Sequence, residues 1–524
     1  MFRTFPLAGL LILILLTPPI HADDQKPVTE KPKNENKKAV DGKKPAAPTV
    51  VNLTLHPAKL PCPTRKYRLT TPYLEQTSGN AACLYYRSAV KRQFKSGFSR
   101  GAKNNPKTGM VNWKTQRETI SKGLKTPLAD LPRESIKATL RIYGSCFREM
   151  EMAARRTECD WGYPMRESES VSGITLDQFD ANRFVAKALL LRARMEMAAG
   201  DVQKAIGSFR TVLAWANHFG SGQFLVNKAA GMGVIQEMFE QCETLVQLPN
   251  APNLYWTFTT LPQPCIKLHD AIDAEGAFAE LVTPSLREAR KRKLSEAEAK
   301  VLFMRFIAEV RKDFLNNRYS QMSSEEKKEI AKWANSFSPD KYVTEIYPKA
   351  MAKLIETGRD KPELEEMPKP QVVLLYIATI YEEQRDNLLQ WAYVPYRQSH
   401  SGLEAAQKEF KASFKSDTPL FAFMSLLSYH GKYNSRYWAA LTERRLATLR
   451  VIEAIRLFAD NHEGRLPKTL DEISEVPIPI NPVTGKPFPY NLEGDTAVLK
   501  ADGGPEKRIA NQREYRIKLA KPKK

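Results

Sequence analysis

Residues 184–213 read FVAKALLLRARMEMAAGDVQKAIGSFRTVL, and this stretch decides the fold class. The large and small apolar residues of its first half recur at helical intervals of three or four: Phe184, Ala188, Leu191 and Met195. Gly200 follows at a position that commonly ends a helix, and Asp201 completes the turn. The second half repeats the helical spacing with Ala205, Phe209 and Leu213. The stretch therefore predicts a helical hairpin.

This hairpin resembles a tetratricopeptide repeat. The small helix-contact residue, the turn residue, the close-packing alanine and the aromatic residue of that motif are matched by Ala193, Gly200, Ala205 and Phe209. The Trp, Tyr and closing Pro of the motif are not matched, and residues 227–246 are helical without its pattern. The resemblance implies a tetratricopeptide-like helical region over 161–285, and an ordinary helical hairpin is the alternative.

Helices are also predicted on both sides of this region. In the basic helical N-terminal region, 60–160, periodicity predicts helices over 81–94 and 133–156, and a Gly- and Lys-rich loop over 96–109. In a second helical region, 286–435, residues 295–298 have the form of a capping box. Further elements there are a helix over 322–337, a linker over 358–370, a buried helix over 372–393 and an apolar segment over 420–429.

Residues 436–500 predict a small α+β C-terminal module. A long helix over 437–461 carries apolar residues on its inner side, and we expect three arginines on its outer side: Arg444, Arg445 and Arg456. Gly464 ends this helix, and residues 476–482 are extended because each proline disfavours helix in the residue before it. The fold class is therefore mostly α, with helical hairpins and a small α+β module.

Two short alternating segments predict a β-hairpin within this module. They cover 488–492 and 496–500 and flank Gly494 and Asp495, which suit a tight turn. Beyond them, residues 501–524 are predicted to be a basic tail.

Residues 1–22 have the layout of a secretory signal peptide. Arg3 supplies the positive charge, residues 7–16 form an apolar run, and Ala22 is a small residue before the cleavage site. The run of about ten residues is shorter than the roughly twenty that span a bilayer. We therefore predict export to the periplasm or the extracellular space, with no transmembrane segment after signal removal. Residues 23–59, rich in Lys and Pro, are predicted to be a disordered linker.

The net charge of +21 is concentrated in two segments. Residues 87–125 hold eleven Lys or Arg against one acid, and residues 500–524 hold nine against three. Clustered bases raise the local electrostatic potential, so we predict contact with an anionic polysaccharide or a membrane surface. The alternative is that the charge serves solubility, and nucleic acid suits an exported protein poorly. The predicted contact residues are Arg87, Lys91, Arg92, Lys95, Arg100 and Lys103.

The sequence contains no recognisable catalytic or cofactor motif. It has no P-loop, no G-x-S-x-G, no G-x-G-x-x-G and no H-E-x-x-H, and the histidines after residue 22 lie more than five residues apart. We therefore predict no catalytic residue, metal or cofactor. Cys159 is either a thiol nucleophile paired with a distant histidine or, as we favour, a cysteine packed beside the buried Trp161.

Six cysteines follow the signal sequence: Cys62, Cys83, Cys146, Cys159, Cys242 and Cys265. An even number in an exported protein allows disulfides, and buried free thiols are the alternative. Six cysteines permit 15 pairings, and the sequence alone does not choose among them.

Two stretches resemble an uncharacterised group of exported planctomycete proteins. One is ECDWG at 158–162, followed by the hairpin and by PNAPNLYW at 249–256; the other is RLFADNH at 456–462 with NPVTGKPF at 481–488. The likeness covers most of 60–500 and implies no activity. The C-terminal module also resembles, more loosely, the globular part of type II secretion pseudopilins, although Asn481 stands where those proteins carry Asp and no prepilin leader opens the chain.

These observations favour an exported, non-catalytic interaction or scaffold protein of the bacterial cell envelope, with a protein partner and contact to an anionic polymer. An envelope hydrolase with a site scattered in sequence is one alternative, and a secretion- or pilus-associated component is another. Clustered polar groups with shifted pKa values in a deep pocket would favour the hydrolase. A broad groove on stacked helices would favour the binding protein.

Overall fold

The computed structural model describes residues 48–100, 112–163, 177–317, 337–413, 430–504 and 511–521. These residues form fifteen α-helices and six β-strands, and the largest sheet has four strands. The predicted fold class, mostly α with a small α+β module, is confirmed. The predicted signal peptide, and the linker up to residue 47, lie outside the described residues.

The first helical body contains eight helices around one apolar core. They are α1 (Ala82–Arg100), α2 (Trp113–Gly123), α3 (Arg133–Ala153), α4 (Asp177–Ala198), α5 (Val202–Gly220), α6 (Leu225–Leu245), α7 (Tyr255–Thr259) and α8 (His269–Val282). A two-stranded parallel sheet, β2 (Thr77–Asn80) with β3 (Arg156–Glu158), lies beside α1. The loop predicted over 96–109 is wrong as far as Arg100, because α1 continues to that residue, and 101–109 fall outside the described residues.

The predicted hairpin is confirmed in α4 and α5. Gly200 has a φ of 79°, which a residue with a side chain rarely adopts. The Asp201 carboxylate then accepts a hydrogen bond from the Lys204 amide at 3.2 Å and caps α5. Ala193, Ala205 and Phe209 are completely buried, as small contact residues and an aromatic anchor must be.

A third helix packs tightly on this hairpin. A Cβ atom at Gly231 of α6 would lie 2.6 Å from the Ala216 carbonyl oxygen of α5, so only glycine permits this approach. The three helices therefore form a close-packed layer.

The second helical body contains α9 (Pro284–Ala289), α10 (Glu296–Asn317), α11 (Pro339–Glu356), α12 (Lys361–Glu365), α13 (Lys369–Leu389) and α14 (Tyr396–Ser413). The capping box is confirmed: the Ser295 hydroxyl accepts from the Glu298 amide at 3.3 Å, and the Ser295 amide donates to the Glu298 carboxylate at 2.8 Å. The linker predicted over 358–370 is wrong, because α12 buries Leu364 in the core. Apart from Phe337, the segments predicted over 322–337 and 420–429 lie outside the described residues.

The C-terminal module combines α15 (His430–Asn461) with a four-stranded sheet in the order β1-β6-β5-β4. The predicted hairpin is confirmed: β4 (Tyr490–Glu493) and β5 (Thr496–Ala501) are antiparallel and turn at Gly494, whose φ is 62°. Two predictions were wrong here. Part of the expected linker is β1 (Thr49–Leu55), and part of the expected basic tail is β6 (Arg513–Leu519).

These two strands pair in parallel, with Thr49 opposite Arg513 and Leu55 opposite Leu519. Both alternate apolar and polar residues, so each can bury one face: Leu53 and Leu55 on β1, and Tyr515 and Ile517 on β6. The Lys- and Pro-rich composition of residues 23–59 and the basic composition of residues 501–524 concealed this alternation.

The prediction that three arginines of α15 face outward was also wrong. Arg444 and Arg445 are 4% exposed, and Arg456 is completely buried. The reason is that α6, α7 and the sheet enclose α15, so no side of its middle reaches solvent. The Arg456 guanidinium donates to the buried Glu453 carboxylate at 2.9 Å and to the Ala251 carbonyl oxygen at 2.7 Å.

Arg445 joins three elements. Its guanidinium donates to both carboxylate oxygens of Glu243 on α6, each at 3.0 Å. The Tyr515 hydroxyl of β6 donates to the same carboxylate at 2.9 Å. The Arg445–Glu243 ion pair therefore connects α15, the first helical body and the sheet.

Arg445→Met should lower the free energy of unfolding by about 3–5 kcal/mol, because it leaves the Glu243 carboxylate buried without its cation. The double variant Arg445→Met, Glu243→Gln should lose less than this single variant, since a neutral amide still accepts from Tyr515. Urea unfolding followed by circular dichroism measures both. Lys341→Met, at an exposed ion pair with Glu345, is the control and should change stability by less than about 1 kcal/mol. Additive losses in the double variant would contradict the pairing.

Candidate functional site

Two of the predicted polymer-contact residues form ion pairs with a buried glutamate. Arg87 and Lys91, one turn apart on α1, both contact the carboxylate of Glu149 on α3. Glu149 is 4% exposed, so it requires these cations as counter-charges. This carboxylate offsets one of the two positive charges and holds α1 against α3, while the Arg87 side chain remains 61% exposed.

Arg92 lies in an aromatic contact. Its guanidinium carbon is 4.4 Å from the centroid of the Trp113 ring and 4.9 Å from that of Phe184. This cation–π arrangement joins α1, α2 and α4. The side chains of Lys95 and Arg100, and the whole of Lys103, lie outside the described residues.

An exposed group of bases lies on the next two helices and in the turn that follows α2. We call it the α2–α3 basic surface and define it by Lys114, Arg117, Lys122, Lys125, Arg141 and Arg148. Among the described residues, none of the six forms an ion pair with a carboxylate within 4 Å. The first four fall within the basic segment that the sequence singled out, although they were not chosen as contact residues.

The buried faces of these helices explain why the bases point outward. In α2, Gln116, Ile120 and Gly123 face the core, and the Gln116 side chain accepts from the Tyr143 hydroxyl at 2.6 Å. On α3, Arg141 and Arg148 are seven residues apart, so they lie two turns apart on one face. Packing of the apolar faces thus leaves both rows of bases in solvent.

A cleft that the sequence did not indicate lies between α8 and the end of α13. Its volume is about 430 Å³, and its lining includes Asp273, Arg385, Asp386, Gln390 and Tyr393. The helices approach closely here because α8 carries Gly276, whose carbonyl oxygen accepts from the Tyr381 hydroxyl at 2.6 Å. The lining comes from two segments more than 100 positions apart and forms no motif, so no sequence signal could have found the cleft.

The polar groups of this cleft suit binding better than acid–base catalysis. The Tyr393 hydroxyl donates to Asp273, and this hydrogen bond, with some burial, raises the pKa of Tyr393 to about 12. Tyr393 therefore remains a hydrogen-bond donor at neutral pH. Arg385 donates to the neighbouring Asp386 at 2.8 Å, so part of its charge is neutralised locally.

Cys159 is not an activated nucleophile. Burial, the neighbouring Asp160 and Cys83 raise the pKa of its thiol to about 12, which leaves little thiolate at neutral pH. Trp161 is 6% exposed and stacks on Tyr85 with ring centroids 5.7 Å apart. The alternative that we favoured, a cysteine packed beside a buried tryptophan, matches this arrangement.

His218 completes the same cluster. Its Nδ1 atom is 2.9 Å from the Tyr85 hydroxyl, and its carbonyl oxygen accepts from the Trp161 indole at 2.8 Å. Burial lowers the pKa of His218 to about 4, so the ring is neutral at physiological pH. Its contacts hold α1 and the segment after β3 against α5.

Comparison with protein-family models, with curated proteins and with solved structures found no match for this chain. In the part of the chain that the structure describes, no three His, Cys, Asp or Glu side chains are grouped so that they could hold a metal ion. Within the same ranges, no helix combines the length and the apolar character needed to cross a bilayer.

His218 should make stability depend on pH. The unfolded chain binds a proton at this residue near pH 6.5, whereas the folded protein does so only near pH 4. Its contribution is therefore constant above pH 6.5 and is lost as the pH falls toward 4, by up to roughly 3 kcal/mol. Denaturant unfolding of wild type and His218→Gln from pH 4 to 8 tests this. Relative to wild type, the variant should gain free energy of unfolding as the pH falls. If the free energies of unfolding of the two proteins change in parallel with pH, the prediction is wrong.

Proposed function

We propose that this protein is an exported, non-catalytic interaction or scaffold protein of the bacterial cell envelope, and that it binds an anionic polymer through the α2–α3 basic surface. The observation that carries the proposal is that six exposed bases, none of them in an ion pair within the described ranges, lie on α2, on the turn after it and on α3. Such a surface raises the local concentration of polyanions without requiring a shaped pocket.

The arrangement of the other charges supports this choice of surface. Most of the predicted bases on α1 whose side chains are described, and the arginines of α15, make contacts inside the protein. Bases that neutralise buried carboxylates contribute little to attraction at a distance. An anionic polysaccharide suits the α2–α3 basic surface because its charges are spaced along a flexible chain. We also propose a protein partner in the envelope.

Export should remove residues 1–22, so that the mature chain begins at Asp23. N-terminal sequencing of the protein purified from its own host checks this. Ile12→Arg, Ile14→Arg should abolish processing because charges interrupt the apolar run, whereas the control Ile12→Leu, Ile14→Leu should be processed normally. A wild-type protein that retains residues 2–16 would contradict export.

Changing Lys114, Arg117, Lys122, Lys125, Arg141 and Arg148 to Gln should weaken binding to an anionic polysaccharide at least about tenfold. Each base near an anionic surface contributes about 1 kcal/mol at low salt. Binding of wild type should be largely lost by about 0.5 M salt, where the Debye length falls to roughly 4–5 Å. Elution from a heparin column and titration with a soluble anionic polysaccharide measure the change.

The matched control removes the same number of charges elsewhere. Lys291, Lys300, Lys341, Arg359, Lys361 and Lys408 are exposed on the second helical body, and their change to Gln lowers the net charge equally. This variant should bind nearly as well as wild type. Equal losses in both variants would show that net charge, and not the α2–α3 basic surface, determines binding.

A further inference from the structure

The start of α1 and the end of β3 are held side by side. Strands β2 and β3 pair in parallel, with Asn80 opposite Glu158. The next residue continues the pairing, since the Ala81 amide donates to the Glu158 carbonyl oxygen at 2.8 Å. Cys159 follows Glu158 directly, and Cys83 lies two residues after Ala81, in the first turn of α1.

Contacts on both sides of the cysteines fix these two segments. The Asn80 side chain donates to the Asp160 carbonyl oxygen at 2.7 Å and accepts from the Asp160 amide at 3.0 Å. One turn into α1, the Tyr86 hydroxyl donates to the Trp161 carbonyl oxygen at 2.8 Å. Cys83 lies between Asn80 and Tyr86 in sequence, and both of those residues hydrogen-bond to the segment of Cys159. Cys83 is also close enough to contribute to the raised pKa of the Cys159 thiol.

We propose that Cys83 and Cys159 form a disulfide when the protein meets an oxidising environment. A disulfide requires Cα atoms about 4.4–6.8 Å apart. The hydrogen bonds from Asn80 and Ala81 to residues 158–160 hold the two segments side by side at this place. Cys83 is exposed and Cys159 is half-buried, so an oxidant can reach the pair, whereas Cys146, Cys242 and Cys265 are buried.

The bond forms by two thiol–disulfide exchanges with a low-molecular-weight disulfide such as oxidised glutathione. The Cys83 thiolate, after loss of its proton, attacks one glutathione sulfur, forming a mixed disulfide and releasing one reduced glutathione. Cys159 then loses its proton, a step that its raised pKa makes slow, and its thiolate attacks the Cys83 sulfur and releases the second reduced glutathione. Two cysteine thiols are oxidised and one glutathione disulfide is reduced. The inference rests on the proposed export only for the source of this oxidant.

The experiment uses the purified mature protein, incubated with oxidised glutathione and then alkylated and digested with trypsin without reduction. Cys83 and Cys159 fall on separate peptides, 69–87 and 157–166, and each of these peptides contains one cysteine. Mass spectrometry should find the two peptides linked in most of the protein. The melting midpoint of the oxidised protein should exceed that of the reduced protein by on the order of 5 °C, because the bond closes a long loop.

Three variants make the result specific. Cys83→Ser and Cys159→Ser should each lose the linked peptide and the rise in melting midpoint, and Cys159→Ser should retain glutathione on Cys83. Cys62→Ser, which removes another exposed cysteine, should behave like wild type. A wild-type protein in which Cys83 carries only glutathione, or in which it links to Cys62, would overturn the pairing. The experiment supplies the oxidant, so failure of the Cys83–Cys159 pairing would not contradict the proposed export. Conversely, a protein that retains its signal peptide would contradict export and would not contradict the pairing.

Discussion

The contact between Arg445 and Glu243 determines how the first helical body and the C-terminal module fit together. Both groups are buried, and a buried ion that loses its partner is strongly destabilising. The pair joins α15 to α6, and Tyr515 brings β6 to the same carboxylate. The directional hydrogen bonds from Arg445 and Tyr515 to the Glu243 carboxylate fix the position and the rotation of α15 and β6 relative to α6. Apolar packing alone does not. The sheet and the first helical body therefore have one arrangement that satisfies every charge.

Local patterns were sufficient to predict the helices and the tight turns. Gly200, Gly494 and the capping box at Ser295 act within a few residues, so their outcome could be predicted from sequence. The burial of Arg445 could not be predicted in this way, because hydropathy treats arginine as a surface residue. The carboxylates of Glu240 and Glu243, about 200 positions earlier, make that burial tolerable.

The difference between local patterns and contacts distant in sequence also explains why the predicted contact residues and the observed α2–α3 basic surface do not coincide. A count of bases marks the segment over 87–125 as positive, and Lys114 and Arg117 indeed face solvent. The count does not reveal that Arg87 and Lys91 share the buried carboxylate of Glu149, since that contact is made about 60 residues away in sequence. Charge composition thus locates a basic region, and the packing of α1 on α3 decides which of its bases remain available.

The parallel pairing of β1 with β6 also has a consequence for the order of folding. Residue 49 finds its partner at residue 513, so the edge of this sheet closes only after nearly the entire described chain has been synthesised. Until then, β1 is a strand with a bare apolar face, and such a strand readily pairs with other chains. Closure of so long a loop is entropically costly and slow. The helical bodies, which consist of local hairpins, can assemble first and provide the surface on which β1 and β6 finally meet.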